Sequence, residues 1–226
     1  FSSANNGNYN LRGVDENYRL QLEIMRWLVD NFSIEIAHPF MNLNIEPLAV
    51  AEANGLYDRA MQDKGEDMPL QVTQEGFIFD NFQSLNIPVP ANDPAMSRRL
   101  DFVKGAKQDQ VFGGQKILVW IQGPYSIAGR IIGEADRSIL HMVDPDKLNS
   151  ILDYTVKVSI SYAQALKDAG ADLICMLEPS SGRLSDPDCF RNHTLDAVNR
   201  IIRAVDIPFI FHICGDTTPF FDSLVQ

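Results

Sequence analysis

Three blocks of continuously apolar sequence, each opening a strand–loop–helix unit, constrain what this chain can fold into. They are Lys116-Ile117-Leu118-Val119-Trp120-Ile121, Asp172-Leu173-Ile174-Cys175-Met176-Leu177 and Pro208-Phe209-Ile210-Phe211-His212-Ile213-Cys214. None shows the strict in–out alternation of a half-wet strand, so each is expected in a parallel sheet, buried on both faces. Between the first two, a helix is predicted from Asp144 or Asp146 through Leu152, Val156, Ile160 and Ala163 to Asp168, with Gly170 as its stop. A Pro/Ser/Gly loop from Pro179 to Asp186 and a helix from about Pro187 to Ala204 precede the third block. The unit recurs at intervals of roughly 35–55 residues, the spacing of parallel strands joined by helical crossovers.

Upstream, Leu20, Ile24, Met25, Leu28, Val29 and Phe32 repeat at three and four residues, which predicts one amphipathic helix over Asp15 to Phe32. A short strand over Ser33 to Ala37 and a helix from Glu46 to a stop at Gly55 follow. Residues 63–93 carry proline punctuation and read as irregular, and a further helix is expected over Arg99 to Gln110, before the Gly113-Gly114 turn. The chain starts at Phe1 without a methionine and stops within a helix-like run, Phe220 to Gln226, so truncation at both ends of a single barrel domain over 1–226 is the expectation.

Parallel strands with helical crossovers leave an open doubly wound sheet and a (β/α)8 TIM barrel in competition. A glycine-rich G-x-G-x-x-G phosphate loop would favour the open sheet, and none is present. Special residues gather instead where strands end: Gln122, Glu178, and His212 through Asp216. Residues collected at the C-terminal ends of several strands are the habit of the barrel, which is therefore the expected α/β architecture. Only four strands are legible, so a closed barrel would need others outside the chain.

Acidic residues outnumber basic ones by 30 to 19, giving a formal charge of −11 without a basic stripe. That surface repels phosphate backbones and excludes nucleic acid as an expected partner. No apolar run reaches membrane-spanning length and no signal-peptide layout opens the chain, so a cytoplasmic protein with no membrane partner is expected. Three irregularly spaced cysteines, Cys175, Cys189 and Cys214, argue against a disulfide framework.

Within this frame, His212 and Cys214 stand two apart on one strand, so both side chains project from the same face. An imidazole nitrogen and a thiolate are donors that zinc prefers; a buried histidine and cysteine lining the core would share that spacing. Gly215-Asp216-Thr217-Thr218 follows at once and supplies a turn and capping groups. Glu178 and Asp216 are the candidate catalytic carboxylates, with Glu178 also the internal candidate for a third metal ligand; a loop carboxylate orienting its surroundings is the equally good alternative. Asn42, Gln122, Tyr125 and Ser126 are the candidate substrate contacts, Asn42 and Asn44 being equally suited to capping the helix near Glu46. Gly123-Pro124 is read as a sharp turn over the barrel mouth.

Three segments together resemble the uroporphyrinogen decarboxylase superfamily, and within it the zinc-dependent methyltransferases acting on methylcobamides. They are Gly123-Pro124-Tyr125-Ser126-Ile127-Ala128-Gly129, then Ala169-Gly170-Ala171-Asp172, and His212-Ile213-Cys214-Gly215-Asp216-Thr217-Thr218-Pro219; a looser likeness runs from Asn44 to Gly55. The resemblance implies a (β/α)8 barrel, zinc on His212 and Cys214 with a second cysteine from a later strand, and a methylated corrinoid on a partner protein as methyl donor. The acceptor it implies is a small thiol such as coenzyme M, or tetrahydrofolate. The decarboxylase itself is the alternative within the superfamily, and it would be expected to carry an R-Q-A-G-R-like run that is not found here. A non-catalytic barrel that captures a corrinoid or tetrapyrrole is the alternative outside enzymes.

Overall fold

The computed structural model describes residues 10–112, 114–180 and 186–224. Its centre is a four-stranded sheet in the order β1-β4-β5-β6, made of β1 (Ile36–Ala37), β4 (Lys116–Gln122), β5 (Leu173–Glu178) and β6 (Phe209–Ile213). Every pairing in it is parallel. A separate antiparallel pair, β2 (Met61–Gln62) with β3 (Gln71–Val72), straddles the start of the stretch that reads as irregular.

Register divides the sheet into two faces. Val119, Ile174 and Phe209 align across β4, β5 and β6, as do Ile121, Met176 and Phe211. All six belong to or pack on the main hydrophobic core, together with the helices. The opposite, inner face carries Trp120, Cys175 and Ile210 in one row and Gln122, Leu177 and His212 in the next. Its core is a small separate cluster, Leu118, Cys175 and Leu177, with Leu43, Trp120 and Leu173 against it. Toward β6 this face opens to solvent: Ile210 is 44% exposed, and His212 and Cys214 are exposed as well.

The helices follow the sequence where a stripe and its caps agree. The long crossover α8 (Pro145–Ala169) starts on Asp144, whose side chain accepts from the Lys147 N–H, and ends on Gly170 in the left-handed conformation at φ 110°. The helix expected over Asp15 to Phe32 is two helices, α1 (Leu11–Glu16) and α2 (Tyr18–Phe32), because Asn17 is extended and its side chain caps α2 by accepting from Leu20. The expected strand over Ser33 to Ala37 is only two residues long, since Ser33 ends α2 with φ 51°. Helix α3 (Ile45–Ala53) and the short α4 (Tyr57–Ala60) follow.

Helix α5 (Pro94–Gln108) begins five residues before the expected Arg99. Asp93 caps it through both the Ala95 and Met96 N–H groups, with Pro94 in the first turn, where a missing N–H is harmless. Asp93→Ala is expected to cost about 1 kcal/mol of stability, read as a lowered urea midpoint at constant slope.

After β4, where Gly123-Pro124 is expected as a sharp turn over the mouth, the chain enters α6 (Pro124–Ile132) at once and continues into α7 (Glu134–Val143). Past residues 181–185, where most of the expected Pro179–Asp186 loop lies outside the described residues, the predicted helix over Pro187–Ala204 is present. It consists of α9 (Pro187–Cys189), a π-type stretch over Phe190–Leu195, and α10 (Asp196–Ala204). The last described helix is α11 (Phe221–Leu224).

A buried polar network fixes the N-terminal helices against the sheet edge. The Arg99 guanidinium on α5 is paired with the Asp15 carboxylate on α1, both buried. It also donates to the Gln21 side-chain oxygen at 3.3 Å. That same oxygen receives the Phe40 N–H at 2.8 Å, which ties down the segment after β1.

Candidate functional site

At the C-terminal end of β6, the His212 Nε2 and Cys214 Sγ atoms lie 3.2 Å apart. Strand alternation gives both residues the same face, and Gly215, at φ 98°, turns the chain immediately beyond them. Asp216 sits in that turn, exposed, and accepts the Thr218 N–H at 2.9 Å. The Thr218 side chain, first, and this backbone bond, second, hold the Asp216 carboxyl below the usual range. The geometry shows Asp216 stabilising the turn after the pair.

The pair has the shape of a metal chelate. A tetrahedral zinc ion bound at ordinary Zn–N and Zn–S lengths places its two donor atoms about 3.6 Å apart. The observed 3.2 Å therefore needs only a small adjustment to embrace one. Among the described residues, no group of three or more His, Cys, Asp and Glu is gathered for a metal, so these two form an incomplete donor set.

Glu178 is not part of it. It pairs in register with Ile213, not with His212, and so points to the helix-covered side of the sheet, where it is wholly buried. There it accepts the Tyr125 N–H at 2.8 Å, the Ser126 N–H at 3.0 Å and the Ser126 hydroxyl at 2.6 Å. These groups belong to the first turn of α6, whose N-cap, Gly123, has no side chain to offer. Glu178 takes over the cap from the neighbouring strand, and its negative charge suits a helix N-terminus. Gly123 is required for this approach: a Cβ there would stand 2.2 Å from Glu178 Oε1. The reading of Glu178 as a rim ligand is thus corrected by which strand face it occupies.

Tyr125 and Ser126, expected to face a ligand, are fully buried instead. The Tyr125 ring lies beneath the Arg137 guanidinium, 4.1 Å from the ring centroid, and its hydroxyl is 3.7 Å from Cys189 Sγ. Asn42 is half-buried, donating to Asp15 at 2.8 Å and accepting the Asn44 N–H at 2.8 Å. Asn44 occupies the N-cap position of α3 without a side-chain cap bond, and its oxygen instead accepts the Val72 N–H. Of the four expected substrate contacts, Gln122 alone shares the row of His212 on the inner face, separated from it by Leu177.

Sequence reading missed Glu46. It is buried, and its Oε1 accepts the Gln122 N–H at 2.7 Å, extending the sheet edge past the end of β1. Burial, the largest cause, pushes both the Glu46 and Glu178 carboxyls from the ordinary 4.5 to about 7. Because these folded values lie above the unfolded one, the folded chain holds more protons between about pH 4.5 and 7. Their contribution to stability is fully present below that window and declines as pH rises through it. Burial pushes His193 down, which gives an opposite slope as pH falls below its ordinary 6.5. The expected result is a urea midpoint whose decline from pH 5 to 7.5 becomes shallower in Glu178→Gln than in the parent protein.

The uroporphyrinogen decarboxylase (URO-D) family profile matches residues 4–226. The chain belongs to that family. A solved methyltransferase from Methanosarcina mazei superposes with a TM-score of 0.82 at 19% identity, over 96% of this chain and 62% of that one. The shared fold makes the four-stranded sheet an open arc of a (β/α)8 barrel.

Among curated relatives, a methylcobamide:CoM methyltransferase, MtbA, of Methanosarcina mazei is 31% identical over 100 residues, 42% of this chain and 29% of that protein. A methylated-thiol–coenzyme M methyltransferase of the same organism is 26% identical over 111 residues, covering 49% and 30%. MtaA, a methylcobamide:CoM methyltransferase of Methanosarcina barkeri, is 29% identical over 49% of this chain and 33% of its own length. The matched regions span about a third of these relatives.

Proposed function

We propose that this chain is part of a zinc-dependent methyltransferase that moves a methyl group from a methylated corrinoid, carried by a partner protein, to a small thiol such as coenzyme M. The observation that carries the reading is the exposed His212–Cys214 pair, with donor atoms 3.2 Å apart, at the C-terminal end of a barrel strand. Active groups in such folds stand on that end of the barrel. The curated relatives named for methylcobamide and coenzyme M support the substrate class.

Zinc held by His212 and Cys214 would stabilise a bound acceptor as its thiolate at neutral pH. The residues themselves contribute a fixed two-donor edge, and the turn after it is stapled by Asp216. The third protein donor comes from outside the described residues. Tetrahydrofolate is the alternative acceptor within the same reading.

All three cysteines are free. Free thiols suit a reducing cytoplasm, and none of the described helices is long and apolar enough to cross a membrane.

The test is an acceptor comparison with methylcobalamin as donor. Methylation of coenzyme M by the zinc-loaded protein is the expected outcome, and methylation of tetrahydrofolate alone would reassign the acceptor. Decarboxylation of uroporphyrinogen by a zinc-free protein would refute the reading, and corrinoid binding without transfer to either acceptor would leave a binding barrel in its place.

A further inference from the structure

The metal pair leaves a second polar feature of the inner face unexplained. Trp120 and Gln122 alternate onto this face from β4, beside an otherwise apolar wall of Leu118, Cys175 and Leu177. Gln122 lies opposite Leu177, and Leu177 opposite His212, so Gln122 and His212 share one layer. Two inter-strand spacings separate their backbones, about 10 Å.

Gln122 is only 2% exposed, and its Oε1 is buried without a hydrogen-bond partner. The Trp120 Nε1–H, a donor only, is likewise buried and unpartnered. Buried polar groups in folded proteins are nearly always paired, so an orphaned donor and an orphaned acceptor side by side call for a reason. The segment His38–Asn44 lies across this wall. The His38 ring meets Trp120 edge-on at 5.5 Å, and Leu43 packs on the inner cluster. Its anchor is polar, through Phe40 and Asn42 to Gln21 and Asp15.

One donor and one acceptor, on residues roughly 7 Å apart along a strand, complement a group that presents a carbonyl and an N–H together. We propose that Trp120 Nε1 and Gln122 Oε1 form an amide-reading subsite beside the metal pair, engaged when the His38–Asn44 segment is displaced. The ligand's carbonyl accepts from the indole, and its N–H donates to Gln122. This deepens the proposed function and rests on it for which molecule arrives. The carboxamide arms of a corrin ring and the lactam edge of a pterin both carry this chemistry; coenzyme M, a sulfonated thiol, has no N–H to give.

Trp120→Phe and Gln122→Met keep the apolar bodies and remove the polar atoms, with a urea midpoint no lower than the parent's as the folding control. In the complete protein, hydroxocobalamin affinity is read from its visible spectrum without zinc. KM for methylcobalamin, tetrahydrofolate and coenzyme M is read in the zinc-loaded protein. Each variant is expected to weaken an amide-bearing ligand about three- to tenfold, the loss of one hydrogen bond, and to shift KM for that ligand more than KM for coenzyme M.

Weakening confined to the corrinoid assigns the subsite to the corrin arm, and weakening confined to tetrahydrofolate assigns it to the pterin. No shift for either, a shift for coenzyme M alone, or a parent protein that takes neither amide ligand overturns the proposal. A cobalamin shift in a protein without methyl transfer would retire the functional reading and keep the subsite. Intact transfer with no shift would do the reverse.

Discussion

Replacing Cys214 or His212 by alanine is expected to lower corrinoid-to-thiol methyl transfer at least about a hundredfold while leaving the urea midpoint unchanged. Losing an outer partner of a metal ligand already costs about 10- to 100-fold in affinity or activity, and losing the ligand itself costs more. Stability should be spared because both residues are exposed at the end of β6 and contribute nothing to either hydrophobic cluster. Steady-state assay with methylcobalamin and coenzyme M, beside urea unfolding, checks both halves. A variant that unfolds early, or one that keeps full activity, would place the pair among structural residues.

The second large effect is the mirror image. Glu178→Ala is expected to destabilise the chain by about 3–5 kcal/mol, with loss of activity only as the protein unfolds. The carboxylate receives two backbone N–H groups and one hydroxyl at the start of α6, all buried, and alanine leaves each without that acceptor. Glu178→Gln keeps the size and one acceptor oxygen, so it should recover much of the loss. A urea series on the three proteins tests the ordering. Should Glu178→Ala instead fold normally and fail only in catalysis, the cap assignment would be wrong and the carboxylate would belong to the chemistry.

Glu178 also shows where sequence reading stops. Its place at a strand end was legible, but the function of a strand residue depends on which face it takes. Cys175 and Leu177 hold the inner face, so alternation alone sends Glu178 outward. The three main strands and the crossover α8 were readable because apolar runs and caps agreed there. The break at Asn17 was not, since neither proline nor glycine adjoins it and only its extended backbone reveals the cap. Pro124 misled in the opposite sense: proline after glycine signals a turn, yet proline is equally at home in the first turn of a helix. The orphaned atoms of Trp120 and Gln122 left no mark in the sequence, because they depend on what packs across the wall.

Zinc content per chain tests the central claim most directly. The complete protein, purified in reducing buffer and dialysed against excess metal-free buffer, is expected to retain one zinc ion. Cys214→Ala and His212→Ala should retain close to none under the same treatment. Equal zinc in all three proteins, or none in the parent, would contradict the assignment of His212 and Cys214 as metal ligands.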